Sequence, residues 1–146
     1  MTTPTSPDPF GRGLLLDDGD LVFDGTDLVE VAGLANLAQA LTLRVLTPLA
    51  SDRFDTAYGL DVTRAFTTAN SARMVKELLK LNLVSTLATD PRVDEVRQVT
   101  FDDDPARLAA DPARADDARI RRSWTVEAEL TTVAGTPVAL QVNVEV

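Results

Sequence analysis

The chain has no cysteine and no histidine among its 146 residues. The first absence excludes disulfides and thiolate chemistry and leaves the redox compartment open. The second removes Ser-His-Asp and Cys-His catalysis, the usual zinc sites, and the side chain best suited to proton transfer near neutral pH. Aromatic residues are also scarce, five Phe with one Trp and one Tyr. Basic residues are outnumbered, 14 Lys and Arg against 23 Asp and Glu, for a net charge of −9. That balance opposes phosphate backbones and anionic lipid, so neither nucleic acid nor membrane is expected as a partner. The uncharged stretch Val31 to Leu43 is 13 residues and contains Asn36 and Gln39, well short of a bilayer span. Met1 to Phe10 has neither the basic residue nor the apolar stretch of a secretory signal, so the chain is expected to begin life in the cytoplasm.

What is present reads as one domain of α+β class, with 45% hydrophobic and 25% charged residues. Residues 1–13, with Pro4, Pro7 and Pro9, are expected to form a flexible arm, and residues 14–146 the domain. Leu14 to Leu16 and Leu21 to Phe23 flank Asp17-Asp18-Gly19-Asp20, which predicts a small hairpin. Asp27 as N-cap with Glu30 as its capping-box partner predicts a helix carrying Val31, Leu34, Leu37, Ala38, Leu41 and Val45, ending near Pro48. Residues 49–61 have little periodicity and read as an ordered connection. A second helix follows, capped by Thr68 or Asn70, with Met74, Val75, Leu78, Leu79, Leu81 and Val84 as its apolar stripe, and it stops before Pro91.

Val93 to Phe101 predicts a strand whose alternation breaks once, at a bulge. Residues 102–119 read as an acidic, Ala-rich insertion with a seven-residue echo, Asp104-Pro105-Ala106-Arg107 and Asp111-Pro112-Ala113-Arg114. Two copies are too few for a solenoid. The last residues alternate cleanly: Trp124, Val126, Ala128 and Leu130, then Val138, Leu140, Val142, Val144 and Val146. Setting Leu130 opposite Leu140 predicts an antiparallel hairpin with the loop Ala134-Gly135-Thr136. The expected fold is therefore two main helices packed on a small antiparallel or mixed sheet that ends in a C-terminal β-hairpin.

Few residues point to chemistry. Asp17, Asp18, Asp20, Asp24 and Asp27 lack the spacing of a calcium loop and read as solvated turns and caps. A glycosidase needs two carboxylates, but among 23 acids a pair can always be selected, and only Trp124 and Tyr58 could serve as sugar platforms. No cofactor or metal is expected. Asp90-Pro91-Arg92-Val93 is more specific: proline fixes the chain's exit from the helix, and Arg92 offers a planar fork suited to a partner's carboxylates or carbonyls. The plainer reading is a helix stop followed by a solvated arginine.

In order, a helix leading into Leu46-Thr47-Pro48, then Asp52-Arg53-Phe54, Tyr58-Gly59, a second helix, Asp90-Pro91-Arg92, a strand and a terminal hairpin resembles the baseplate-wedge family of contractile phage tails. That family is often labelled lysozyme-like, after the gene-twenty-five product of T-even phages. The resemblance spans Leu14 to Val146 with residues 102–119 inserted. The family's Glu-Pro-Arg matches Asp90-Pro91-Arg92, with a carboxylate one methylene shorter. Its Thr-x-x-Gly-Glu-Arg stretch maps onto Thr47 through Arg53, with Ser51 and Asp52 where Gly and Glu are expected. The resemblance implies a structural, non-enzymatic subunit present in several copies around a ring. Such a subunit joins other wedge proteins to the central hub or spike protein and docks the first ring of tail sheath protein. It implies assembly contacts at Asp90, Pro91, Arg92 and Arg53, and at Val142 and Val144 on a terminal strand whose edge a neighbour's strand can extend. The chain would assemble in the cytoplasm into a phage-like virion or a bacterial injection particle. A peptidoglycan-cleaving hydrolase is the alternative, and a small ligand-binding module has no supporting motif.

Overall fold

A seven-residue spacing organises the first part of the chain. The computed structural model describes residues 8–68, 71–105, 109 and 123–145. Six very short strands run as β1 (Arg12–Leu14), β2 (Leu16–Asp17), β3 (Asp20–Leu21), β4 (Phe23–Asp24), β5 (Asp27–Leu28) and β6 (Glu30–Ala32). They pair antiparallel as β1 with β6, β2 with β3, and β4 with β5. The predicted hairpin at Leu16 to Leu21 is the second of these ladders, with Leu16 opposite Leu21. The other two repeat it: Phe23 faces Leu28, seven residues on, and Leu14 faces Glu30. Where the ladders meet, the Leu15 amide donates to the Val29 carbonyl at 2.8 Å, Val22 to Leu15 at 3.2 Å, and Val29 to Val22 at 3.0 Å. This closed ring satisfies backbone groups that two-residue ladders leave open.

The ring explains a correction. Asp27 and Glu30 do not box the start of a helix, because Asp27 lies in β5, paired with β4, and Glu30 in β6, paired with β1. Helix α1 begins later, at Gly33–Leu46, after Ala32, which makes no side-chain cap, and after a left-handed turn at Gly33 with φ +67°. The arm also needs correcting over its described part. Phe10 is buried in the core and β1 starts at Arg12, so residues 8–13 are anchored; residues 1–7 lie outside the described residues.

Two helices follow the connection instead of one. Helix α2 (Thr63–Thr68) went unpredicted; Asp61 Oδ1 accepts from the Arg64 amide at its start. Helix α3 (Ala72–Ala88) is capped by Ser71, whose hydroxyl accepts from the Met74 amide, and not by Thr68 or Asn70. Its buried line is Val75, Leu79, Leu83 and Leu87, one residue in four, while Met74 and Leu81 of the predicted stripe are exposed.

Strands β7 (Val93–Phe101), β8 (Ser123–Thr132) and β9 (Pro137–Glu145) form an antiparallel sheet in that order. Strand β7 has two register irregularities where one was expected. Together they keep Val93, Val96, Val99 and Phe101 on the core side although their spacing is not strictly alternating. The terminal hairpin is present, but Leu130 faces Val138 and Ala128 faces Leu140, two residues from the predicted register. The loop is longer, Val133 to Thr136, and it is held by the Thr132 amide donating to the Thr136 carbonyl and by the Thr136 amide donating to Thr132 Oγ1. A shift of two keeps every side chain on its face, so the apolar alternation alone could not distinguish the registers.

The fold is thus α+β, with α1 lying along β9 and α3 along β7 on one face of the sheet. Leu37, Leu41 and Val45 of α1 and Leu79, Leu83 and Leu87 of α3 meet Val99, Phe101, Val126, Leu130, Leu140, Val142 and Val144 in one core. Fully burying each such side chain contributes about 1.5–3 kcal/mol. No helix among the described residues is long and apolar enough to cross a membrane. The insertion at residues 102–119 lies mostly outside the described residues.

Candidate assembly site

Where α3 ends, the chain must turn into β7, and Pro91 prevents the helix from continuing. Asp90 fills the turn: its Oδ1 accepts from the Arg92 amide at 3.0 Å and from Arg92 Nε at 2.9 Å, and its Oδ2 accepts from Arg92 Nη2 at 2.7 Å. The bidentate pair is charge-assisted, and Asp90 is only 3% exposed. The Arg92 side-chain hydrogen bond holds the Asp90 carboxyl below the usual carboxylate range, outweighing the opposite push of burial. The same bond raises Arg92 above its ordinary value. A third edge of the guanidinium, Nη1, donates to the Phe10 carbonyl at 3.0 Å, which also accepts from Asn36 Nδ2 at 2.8 Å.

The predicted contact therefore has a different geometry from the one expected. Arg92 neither projects into solvent nor presents a free fork, because its donors tie the N-terminal segment to the β7 turn, at a carbonyl that Asn36 of α1 also holds. An acid one methylene shorter than glutamate suits this tight turn, in which carboxylate and guanidinium are two residues apart. Beside it, Arg44 of α1 stacks over the Tyr58 ring, 4.5 Å from its centroid, and donates to Thr89 Oγ1 at 2.8 Å. Burial raises the Tyr58 hydroxyl above its ordinary pKa, with Arg44 opposing.

The connection before Tyr58 is pinned by backbone. Leu60 donates to the Thr47 carbonyl at 2.8 Å and Leu49 to the Leu60 carbonyl at 3.0 Å, with Pro48 bridging Leu60. Gly59, at φ +113°, passes so close that a Cβ there would lie 2.5 Å from the Thr47 oxygen. Only glycine fits. Sequence reading noticed Tyr58-Gly59 as ordered but missed this reason, which needs the Thr47 partner in space.

Of the other predicted residues, Arg53 is exposed in a turn where Asp52 Oδ1 accepts from the Phe54 and Asp55 amides. Pro91 is exposed in its turn, while Val142 and Val144 are 6% and 4% exposed and face α1. Their side chains are core, so what β9 can offer a partner is backbone. Strand β8 separates them from Asp90 and Arg92, so the predicted residues do not form one patch. Strand β9, at the sheet's edge among the described residues, pairs in unbroken register with β8, unlike the doubly interrupted β7. Beside its end lies a cleft of about 560 Å³ whose lining includes Val45, Leu46, Leu49, Leu60, Val62 and Val144. Asp61, Thr63, Asn143 and Glu145 also line it, and a partly apolar cleft next to a regular edge suits an added strand. The lowered Asp90 pKa is the reverse of what a general acid needs.

Helices on one face of a short antiparallel sheet, preceded by the three-ladder unit, define the class as a small α+β domain. A solved structure shares it: a Geobacter sulfurreducens protein provisionally named a tail lysozyme matches 80% of this chain and 93% of its own length with a TM-score of 0.57. Sequence identity is 13%, so the likeness is one of fold. No protein-family model and no curated protein matches the chain.

Proposed function

We propose that this chain is a structural baseplate subunit of a contractile tail or contractile injection particle, linking wedge and hub proteins and docking the first sheath ring. The observation that carries the proposal is the fold shared with the Geobacter tail protein, over nearly all of that protein's length. The regular β9 edge and the partly apolar cleft beside it support it physically, since an incoming strand gains backbone hydrogen bonds there without a catalytic pocket. In this reading Asp90 and Arg92 shape the subunit and β9 meets the neighbour.

The test is a gentle pull-down of the tagged chain from cells producing it, with mass spectrometry and negative-stain imaging of what co-purifies. Sheath-like and tube-like proteins on rod-shaped particles are expected; recovery of the chain alone from cells making such particles would overturn the proposal. The word lysozyme in the neighbour's name favours a second reading, cell-wall hydrolysis. Clearing of a peptidoglycan suspension by purified protein, abolished by one Asp or Glu substitution, would replace the first reading with it.

A further inference from the structure

The N-terminal unit exposes an apolar face that the fold does not use. Side chains two apart on a strand share a face, and so do cross-strand partners. In the three ladders Leu14 faces Glu30, Leu21 faces Leu16, and Leu28 faces Phe23. The strand spacing puts all six on one side of the unit, and five are apolar. Leu14, Leu21, Phe23 and Leu28 are between 41% and 62% exposed, among exposed neighbours that are mainly Asp, Glu, Arg and Thr. The residues between them, Leu15, Val22 and Val29, are half-buried and close the hydrogen-bonded ring. Gln39 of α1 anchors the unit from outside that face, donating to the Leu14 carbonyl and accepting from the Leu16 amide. Scattered single apolar residues on a surface need no explanation; three leucines and a phenylalanine on one face of a unit spanning residues 12–32 do.

Charge selects what covers the face. Residues 12–32 carry Asp17, Asp18, Asp20, Asp24, Asp27 and Glu30 against Arg12 alone, and Arg12 already reaches Glu30. The Asp residues occupy the turns and strand ends around the apolar centre, all exposed. Among the described residues no group of acids is arranged to hold a metal ion. A second copy would bring two such acidic rims together, and anionic lipid would meet the same repulsion. We infer that this face is a docking knob for a different protein, one presenting an apolar socket bordered by Lys and Arg. The pattern is that of a protein interface, with aromatic and aliphatic side chains at the centre and charges at the rim. The inference goes beyond the assembly reading and uses a surface distinct from the β9 edge.

The test installs a photo-crosslinking phenylalanine analogue at position 23 of the full chain in producing cells, with position 81 on the exposed side of α3 as control. Adducts from position 23 are expected on one Lys- and Arg-containing peptide of a different protein, with yield falling as salt is raised and no such adduct from position 81. Phe23→Asp should lower co-purification of that protein on the order of tenfold or more while its melting temperature stays near wild type. Leu21→Ser serves if that variant does not fold. Adducts on a second copy, on lipid, scattered over proteins as at position 81, or none at all would overturn the inference. The two proposals separate cleanly. An identified partner foreign to any tail particle leaves the knob standing and counts against the baseplate reading, whereas particles that contain the chain but give no position-23 adduct do the reverse.

Discussion

The two β regions of this molecule handle the same problem in opposite ways. The β7-β8-β9 sheet turns its apolar face inward, onto α1 and α3, and leaves Glu129, Gln141, Asn143 and Glu145 outside. The N-terminal unit, built from strands of two or three residues, turns leucines and a phenylalanine outward and is held to the body by Gln39, while Asn36 and Arg92 fix the Phe10 carbonyl just before it. The difference teaches that stability resides in the sheet and its helices, while the unit contributes surface. Long ladders with a buried face are hard to open, and short exposed ones open locally.

The strongest way to break that comparison is to cut equal side chains in the two regions. Leu83→Ala, at a position 2% exposed, should cost about 2–5 kcal/mol in urea or thermal unfolding. Leu21→Ala, deleting the same atoms from the exposed face, should cost less than about 1 kcal/mol. Similar losses would mean that the unit's outer face is core after all.

The joint between the regions comes next. Arg92→Ala leaves the nearly buried Asp90 carboxylate and the Phe10 carbonyl without their guanidinium, a loss of about 2–3 kcal/mol by chemical denaturation. A variant that remains as stable as wild type would return Arg92 to the role of a solvated or partner-facing side chain. The pair also sets an acid limb. The folded pKa of Asp90 is depressed, so its stabilisation is fully present above the unfolded carboxylate value near 4 and is lost as pH falls through the lower folded value. Arg92 stays protonated throughout and adds no window of its own. Asp90→Asn should therefore flatten the loss of stability below about pH 4, and an unchanged acid limb would assign it to other carboxylates.

A smaller effect separates the regions without unfolding either. Gln39→Ala removes one donor and one acceptor from the unit, at 2.8 and 2.9 Å, for about 0.5–1.5 kcal/mol each. Hydrogen exchange should speed up at the Leu16 amide and across the ring formed by Leu15, Val22 and Val29, while β8 amides stay as protected as before. Equal acceleration in both would show one cooperative block.

How much of this was legible before the structure depended on the length of the signal. The alternation from Trp124 to Val144 gave the terminal hairpin and its buried face, because period two is unambiguous over two long strands. Register was not legible, since a slip of two leaves the pattern unchanged. The N-terminal unit was legible only in one ladder. Its repeat, Leu14-Leu15-Leu16 followed by Leu21-Val22-Phe23 and Leu28-Val29-Glu30, spans too few residues per strand for alternation, and Asp27 with Glu30 mimics a capping box. The signal it does carry is a seven-residue spacing of apolar pairs, Leu14-Leu15, Leu21-Val22 and Leu28-Val29. Arg92 was picked out by residue type beside Pro91, but its partner Phe10 is 82 residues away in sequence, beyond any local pattern. The burial of Val142 and Val144 was readable from the same alternation that placed them on a strand. An edge strand exposes backbone, so a partner would meet β9 through its main chain and not through the buried Val142 and Val144 side chains.

The smallest expected effect concerns charge. Six acids against one arginine in residues 12–32 repel one another across an exposed surface, so salt should favour the closed unit. Between 0.05 and 0.5 M NaCl the Debye length falls several-fold, and the gain for solvent-exposed charges is a few tenths of a kcal/mol, roughly 1.5- to 2-fold in local opening. Val22 is the amide to follow, because its bond to the Leu15 carbonyl breaks when the ring opens. Amides of β8 such as Ala128, paired on both sides within the sheet, supply the baseline against which any general effect of salt on exchange is read. Slower exchange at Val22 relative to Ala128 would tie the acidic rim to the unit's own stability. An identical salt response at both would mean that the acids are too well solvated to strain the fold, and their clustering would then matter only for what docks against them.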